Sequence, residues 1–159
     1  RMKARASFQV RPGWQDDWQP AMDLAWKTFL RFEAADYLPE GIRNFNDFIT
    51  DQSLFRMFAD GKYPLFVACL EDRVIGMITL RNESHISLLF VDEAYQRQGV
   101  GSALLQYIFA YLKEESGCRR VTVFAAPFGI GFYHRMGFAD LGPQMAKQGI
   151  IYTPMECVF

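Results

Sequence analysis

A chain of 159 residues, half of them hydrophobic and 16% aromatic, is long enough to bury one core and is read as a single domain over residues 1–159. The formal net charge of −1 gives no support for nucleic-acid binding, which favours a strongly basic balance, and no apolar run approaches the roughly 20 residues a membrane-crossing helix needs. Cys69, Cys118 and Cys157 are an odd set without C-x-x-C spacing, so neither a disulfide framework nor a metal site is indicated; with no signal-peptide pattern, the expectation is a cytoplasmic protein with structural thiols.

Residues 7–11 read as a short strand closed by Pro12-Gly13. From residue 18 to 32, Met22, Ala25, Trp26, Phe29 and Leu30 recur at helical spacing. Pro39-Glu40-Gly41 breaks the chain, a short helix resumes over 42–49, and one more over 53–60 stops at Gly61. The period then changes. Residues 65–70 and 74–80 read as strands joined by a tight turn at Glu71-Asp72-Arg73, with 86–91 as the third strand of the meander. Residues 99–116 carry Leu104, Leu105, Ile108 and Leu112 on one helical face, with Gly117 as the C-terminal stop. A strand over 121–124, a short helix over 128–136 and a last strand over 150–158 complete a mixed α/β sheet: an antiparallel meander, a crossover helix, then a parallel strand.

The turn between the 86–91 strand and the 99–116 helix is the most informative stretch. Helix entries usually carry Ser, Thr, Asp or Asn as a cap and acids in the first turn. This one reads Gln96-Arg97-Gln98-Gly99-Val100-Gly101, with no acid and nothing bulky over the free backbone N–H groups. Such an end attracts an anion, because the N–H groups and the helix dipole both point at whatever docks there, so a phosphate-bearing cofactor is expected. The mononucleotide loop G-x-x-x-x-G-K-[ST] is excluded by the missing lysine. The dinucleotide fingerprint G-x-G-x-x-G/A is excluded by Leu104 at its third position, and by the lack of an acid on the next strand, since Glu114 and Glu115 still lie on the same helix.

What remains, Gln-x-x-Gly-x-Gly between a hydrophobic strand and a helix, resembles the acyl-CoA pyrophosphate loop of the GCN5-related N-acetyltransferase (GNAT) superfamily. A second stretch, Ala125-Ala126-Pro127-Phe128-Gly129-Ile130-Gly131-Phe132-Tyr133-His134-Arg135-Met136-Gly137-Phe138, closes on Phe-Tyr-x-x-x-Gly-Phe and is similar to the superfamily's other hallmark, an aromatic helix beside the pantetheine arm. It departs from many members in reading Phe124-Ala-Ala-Pro where an Asn is common, and in having Gly129 for a frequent Ala. The resemblance implies a GNAT fold: a mixed, mostly antiparallel twisted sheet flanked by helices, with a splayed parallel strand pair holding acyl-CoA. It also implies an acetyl-CoA-dependent N-acetyltransferase acting on a primary amine of a small molecule or peptide, by direct transfer in a ternary complex. Acetyl-CoA is then the co-substrate, no metal is needed, and homodimerisation is a family-level expectation. The alternative is a non-catalytic acyl-CoA-binding sensor or assembly module.

The resemblance assigns cofactor contacts to Leu89, Phe90, Val91, Gln96, Arg97, Gln98, Gly99, Val100, Gly101 and Ser102, with a backbone N–H of Phe90 or Val91 facing the oxyanion. Tyr133 occupies the position from which members commonly protonate the leaving sulfur; a core tyrosine is the competing reading. His85 sits where several members place a Glu or His that relays the amine proton, and strict alternation puts it on one strand face with Ser87, Leu89 and Val91. A strand-entry histidine with a local hydrogen bond is an even alternative, and Glu83 is a reserve base. His134 is expected at the surface. For the acceptor, Phe29, Phe32 and Tyr37 are candidates for an aromatic wall, and Glu33, with Asp36 or Glu40, for pairing an ammonium group.

Overall fold

A computed structural model describes residues 7–159. The elements run β1 (Gln9–Pro12), α1 (Trp18–Phe32), α2 (Pro39–Thr50), α3 (Gln52–Ala59), β2 (Leu65–Leu70), β3 (Arg73–Arg81), β4 (His85–Val91), α4 (Val100–Ser116), β5 (Arg120–Ala125), α5 (Ile130–Arg135), β6 (Ala139–Asp140), β7 (Met145–Lys147) and β8 (Ile150–Val158). Two differences from the sequence reading have simple causes. Pro39 starts α2 rather than breaking the chain, because the first helical position needs no N–H donor. The 128–136 helix is split into a 3-10 turn at Pro127–Gly129 and the shorter α5. β6 and β7 are two- and three-residue strands, too short to carry a period.

The strands lie in the order β1-β2-β3-β4-β5-β8-β6, with β7 also pairing with β8, and every pairing is antiparallel except β4 with β5. One face packs on α4, where Leu104, Leu105, Ile108 and Leu112 meet Ile78, Leu80, Ile86, Val121 and Val123. The other packs on α1 to α3, where Trp18, Met22, Phe29 and Leu54 meet Met77, Leu88 and Phe90. Helix α4 comes close to β3 because Gly76 has no side chain: a Cβ there would stand 2.8 Å from Val100 Cγ1 and 3.1 Å from Leu104 Cδ1.

Two irregularities of β4 create the site. First, the parallel pairing with β5 covers only His85↔Thr122 and Ile86↔Val123; beyond Ile86 the strands part, leaving that edge of β4 without a strand partner up to Val91. Second, the β3–β4 register slips, so that Thr79 faces Leu88 but Leu80 faces Ile86, which leaves Ser87 as an extra residue. The bulge reverses the alternation. Ile86 joins Leu89 and Val91 on the α4 face, while His85 pairs with Arg81 on the opposite face. His85 therefore does not share a face with Leu89 and Val91, as uninterrupted counting predicts.

Candidate functional site

The turn leading into α4 is held open by its own side chains. Gln96 Nε2 donates to the Val91 carbonyl at 2.7 Å, pinning the turn to the end of β4. Gln98 Nε2 donates to the Ala94 carbonyl at 3.2 Å, so this residue braces the turn from outside and does not line the cavity. Arg97 (φ 60°) and Gly99 (φ 84°) both take left-handed conformations, and no side chain caps the helix. Asp92 is spent on the preceding 3-10 turn, where it accepts from Ala94 N at 2.9 Å between Lys27 and Arg73. A Cβ on Gly101 would stand 3.2 Å from Phe132 Cε1 and 3.7 Å from Val91 Cγ2, so glycine lets the Phe132 ring of α5 pack close against the first turn of α4. These are the features a diphosphate cradle requires.

The cradle opens into a cavity of about 1330 Å³ that continues along the parted edges of β4 and β5. Asp92 N donates to the Ile75 carbonyl on β3, and hydrogen-bonding direction alternates along an antiparallel strand. Leu88 and Phe90 thus spend their backbone groups on β3. Leu89 and Val91 direct theirs into the gap. Of the two oxyanion candidates from the sequence, Val91 keeps a free N–H and Phe90 does not; Leu89 joins Val91.

Tyr133 and Glu33 stand across this cavity. Tyr133 is buried, its hydroxyl bonds to no described residue, and burial and then the charge of Glu33 raise its pKa. The phenol therefore holds its proton at neutral pH. Glu33, just past the end of α1, makes no ion pair among the described residues; burial, reinforced by Asp36, pushes its carboxyl up to about 7. Burial, with Glu33 and Asp36 behind it, also raises Tyr37. Phe32 stacks on Phe128 (centroids 4.5 Å apart), joining the end of α1 to the turn before α5. Phe29 is not part of this wall: it is fully buried, stacked on Phe45 at 4.1 Å, and belongs to the core. Asp36 and Glu40 are exposed, and Glu83, in the β3–β4 turn, does not line the cavity.

His85 faces the same cavity. Its Nδ1 lies 2.8 Å from Thr122 Oγ1 and its ring meets the Phe124 ring edge-on at 4.6 Å. Burial, then the charge of Arg81, holds its pKa down to about 4, so the ring is neutral at physiological pH and a weak proton acceptor. His134 instead lies at the surface, 2.7 Å from Asp140. Arg81, Phe128 and Tyr152 also line the cavity. Phe128 falls within the second motif, though no role is assigned to it there; no motif marks Arg81 or Tyr152, and the hairpin register, which pairs Arg81 with His85, offers the sequence signal for Arg81.

A parted parallel strand pair, a side-chain-free helix entry at its mouth and a buried tyrosine beside it line one continuous cavity. A family model described as an acetyltransferase (GNAT) domain matches residues 33–159, and the chain belongs to that family. It is 37% identical over 86 residues to the uncharacterized N-acetyltransferase YafP of Escherichia coli (strain K12), a match covering 54% of this chain and 53% of that protein, so the chain spans about half the length of this relative. Its fold is similar to the GCN5-related N-acetyltransferase from Rhodopseudomonas palustris (TM-score 0.83, 19% identity, 99% of each chain covered). It is also similar to the PaiA N-acetyltransferase from Thermoplasma acidophilum, solved in complex with coenzyme A (TM-score 0.79, 16% identity, 96% of this chain and 99% of that one). The expected mixed sheet with one parallel pair is the fold these structures share. Among the described residues no helix is long and apolar enough to cross a membrane, and no group of His, Cys, Asp or Glu is arranged to hold a metal ion.

Proposed function

We propose that this protein is an acetyl-CoA-dependent N-acetyltransferase that acylates a primary amine directly in a ternary complex. One observation carries the reading: the unpartnered edge of β4 runs from an uncapped helix entry to a buried, unbonded tyrosine and a carboxyl of raised pKa. The α4 entry suits a diphosphate, because no side chain caps it and no acid stands in its first turn, so its N–H groups and dipole favour an anion. Acetyl-CoA, as co-substrate, supplies an activated acetyl thioester.

The residues divide the work by their chemistry. Most free alkylamines, with pKa values near 10, are protonated at pH 7 and cannot attack. Glu33, with a pKa of about 7, takes the ammonium proton, a better match to this task than His85 at about 4. The N–H of Leu89 or Val91 donates to the acetyl carbonyl oxygen as it gains negative charge. Tyr133 gives its proton to the sulfur as the new C–N bond replaces the C–S bond, and the proton that the nitrogen loses on becoming an amide replaces it by way of solvent. His85, neutral and tied to Thr122, serves as a hydrogen-bonding wall of the acceptor side. The three unpaired cysteines suit a reducing, cytoplasmic setting.

The test is release of free thiol from acetyl-CoA in the presence of a panel of primary amines, with binding of acetyl-CoA measured on the same sample. Amine-dependent release supports the transferase. Tight binding with no release across the panel favours the sensor reading.

A further inference from the structure

Arg81 ends β3 and directs its side chain into the acceptor side of the cavity, beside His85. Its Nε is shielded from solvent and has no hydrogen-bond partner, while its two Nη atoms are not shielded and, among the described residues, make no hydrogen bond or ion pair, so the outer fork of the guanidinium is left open to the cavity. Several other cations near the sheet are paired. Arg11 pairs with Asp17, Lys27 and Arg73 with Asp92, Arg31 with Glu93, and Arg120 with Glu156. A guanidinium cannot shed its charge, and a buried donor left unpaired is costly. The neighbouring polar groups do not relieve it. Tyr63 hydroxyl donates to Ser87 Oγ at 2.8 Å and accepts from Thr79 Oγ1 at 2.9 Å, while Thr122 is taken by His85.

We propose that Arg81 receives a carboxylate of the acceptor, so that the molecule acetylated is an amino carboxylate, held by its amine near Glu33 and Tyr133 and by its carboxylate at Arg81. The identification deepens the transferase reading and rests on it. A carboxylate matches the fork of a guanidinium with two parallel hydrogen bonds, which a neutral amide cannot reproduce. The two charged anchors stand apart: the charge of Glu33 bears on Tyr37 and Tyr133, that of Arg81 on His85 and Tyr63, and the two do not pair with each other. Phe45, Phe48 and Tyr152 line the same cavity and offer an apolar body a surface.

The experiment uses amino carboxylates matched to their own carboxamides, such as L-phenylalanine with L-phenylalaninamide and L-methionine with L-methioninamide. Binding to the protein saturated with CoA is measured by calorimetry, and thiol release from acetyl-CoA is measured alongside. The expected result is a preference for at least one carboxylate over its amide of about tenfold or more in Kd, falling to near unity in Arg81→Gln and recovering in part in Arg81→Lys. The comparison within the wild-type protein needs no variant to fold. A carboxylate preference in binding without thiol release supports Arg81 while defeating the transferase. Equal affinity for every matched pair, or a preference that survives in Arg81→Gln, overturns the proposal even if amines are acetylated.

Discussion

Replacing Glu33 by Gln removes the charge while keeping the shape, and the consequence can be worked from the raised pKa. A carboxyl that titrates at about 7 when folded, against an ordinary 4.5, binds a proton in the native state through a window in which the unfolded chain has lost it. Stability therefore falls as pH rises from 4.5 to 7 and is level above that. At 1.36 kcal/mol per pKa unit the full loss is about 3 kcal/mol. His85 works in the opposite sense: held down to about 4, it adds stability that is complete above its ordinary 6.5 and is lost as pH falls towards 4. The two slopes offset each other in the wild type, so the difference between wild type and Glu33→Gln is the quantity to read. Urea unfolding at steps from pH 4.5 to 8.5 should show the variant gaining about 3 kcal/mol on the wild type across that range. Thiol release gives the catalytic side. With an amine of pKa near 10, log kcat/KM of the wild type should rise with slope one below pH 7 and level off above it, because ionised Glu33 takes the ammonium proton itself; Glu33→Gln, which must wait for neutral amine from solution, should show slope one throughout and a rate about 10² to 10⁴ lower at pH 8. A stability difference constant with pH refutes the perturbed carboxyl. Unchanged slopes refute its role as the base.

Other outcomes follow from the same geometry. Tyr133→Phe should lower kcat by about 10² or more with little change in acetyl-CoA affinity, since only the proton donor is lost; wild-type turnover would remove it from the mechanism. His85→Ala should leave the limb near pH 7 in place, because its ring titrates well below that range, and a vanished limb would return the base to His85. Phe29→Ala should cost about 3–5 kcal/mol in urea unfolding, whereas Phe32→Ala should cost less and show mainly in the acceptor KM; the reverse order would contradict their placement in core and wall.

Much of the fold is legible in the sequence because its periods are clean. Trp18–Phe32, Leu65–Leu70 and Ile150–Val158 emerge with the bounds that spacing predicts, and Gly99 and Gly117 bracket α4 in left-handed conformations. The uncapped entry of α4 is equally legible, since it is a local device of loop and helix start. The acceptor side is not. A one-residue bulge at Ser87 moves His85 to the other face, and only the β3–β4 register reveals it. Phe29 and Phe32 are three residues apart on one helix, yet one is sealed against Phe45 and the other lies on Phe128. The altered titration of Glu33 depends on α1 ending beside Tyr37 and across from Tyr133, a meeting of distant segments with no sequence signature.

The most direct test of the central claim is a calorimetric titration of the protein with acetyl-CoA, with Gly101→Val as the control. A branched side chain at Gly101 would press on Phe132 and Val91, which flank the helix entry. The account predicts one acetyl-CoA bound per chain and binding weakened at least tenfold in a folded variant. Absence of binding to the wild-type protein, or equal binding by the variant, would contradict the assignment of the β4–β5 gap and the α4 entry as the acyl-CoA site.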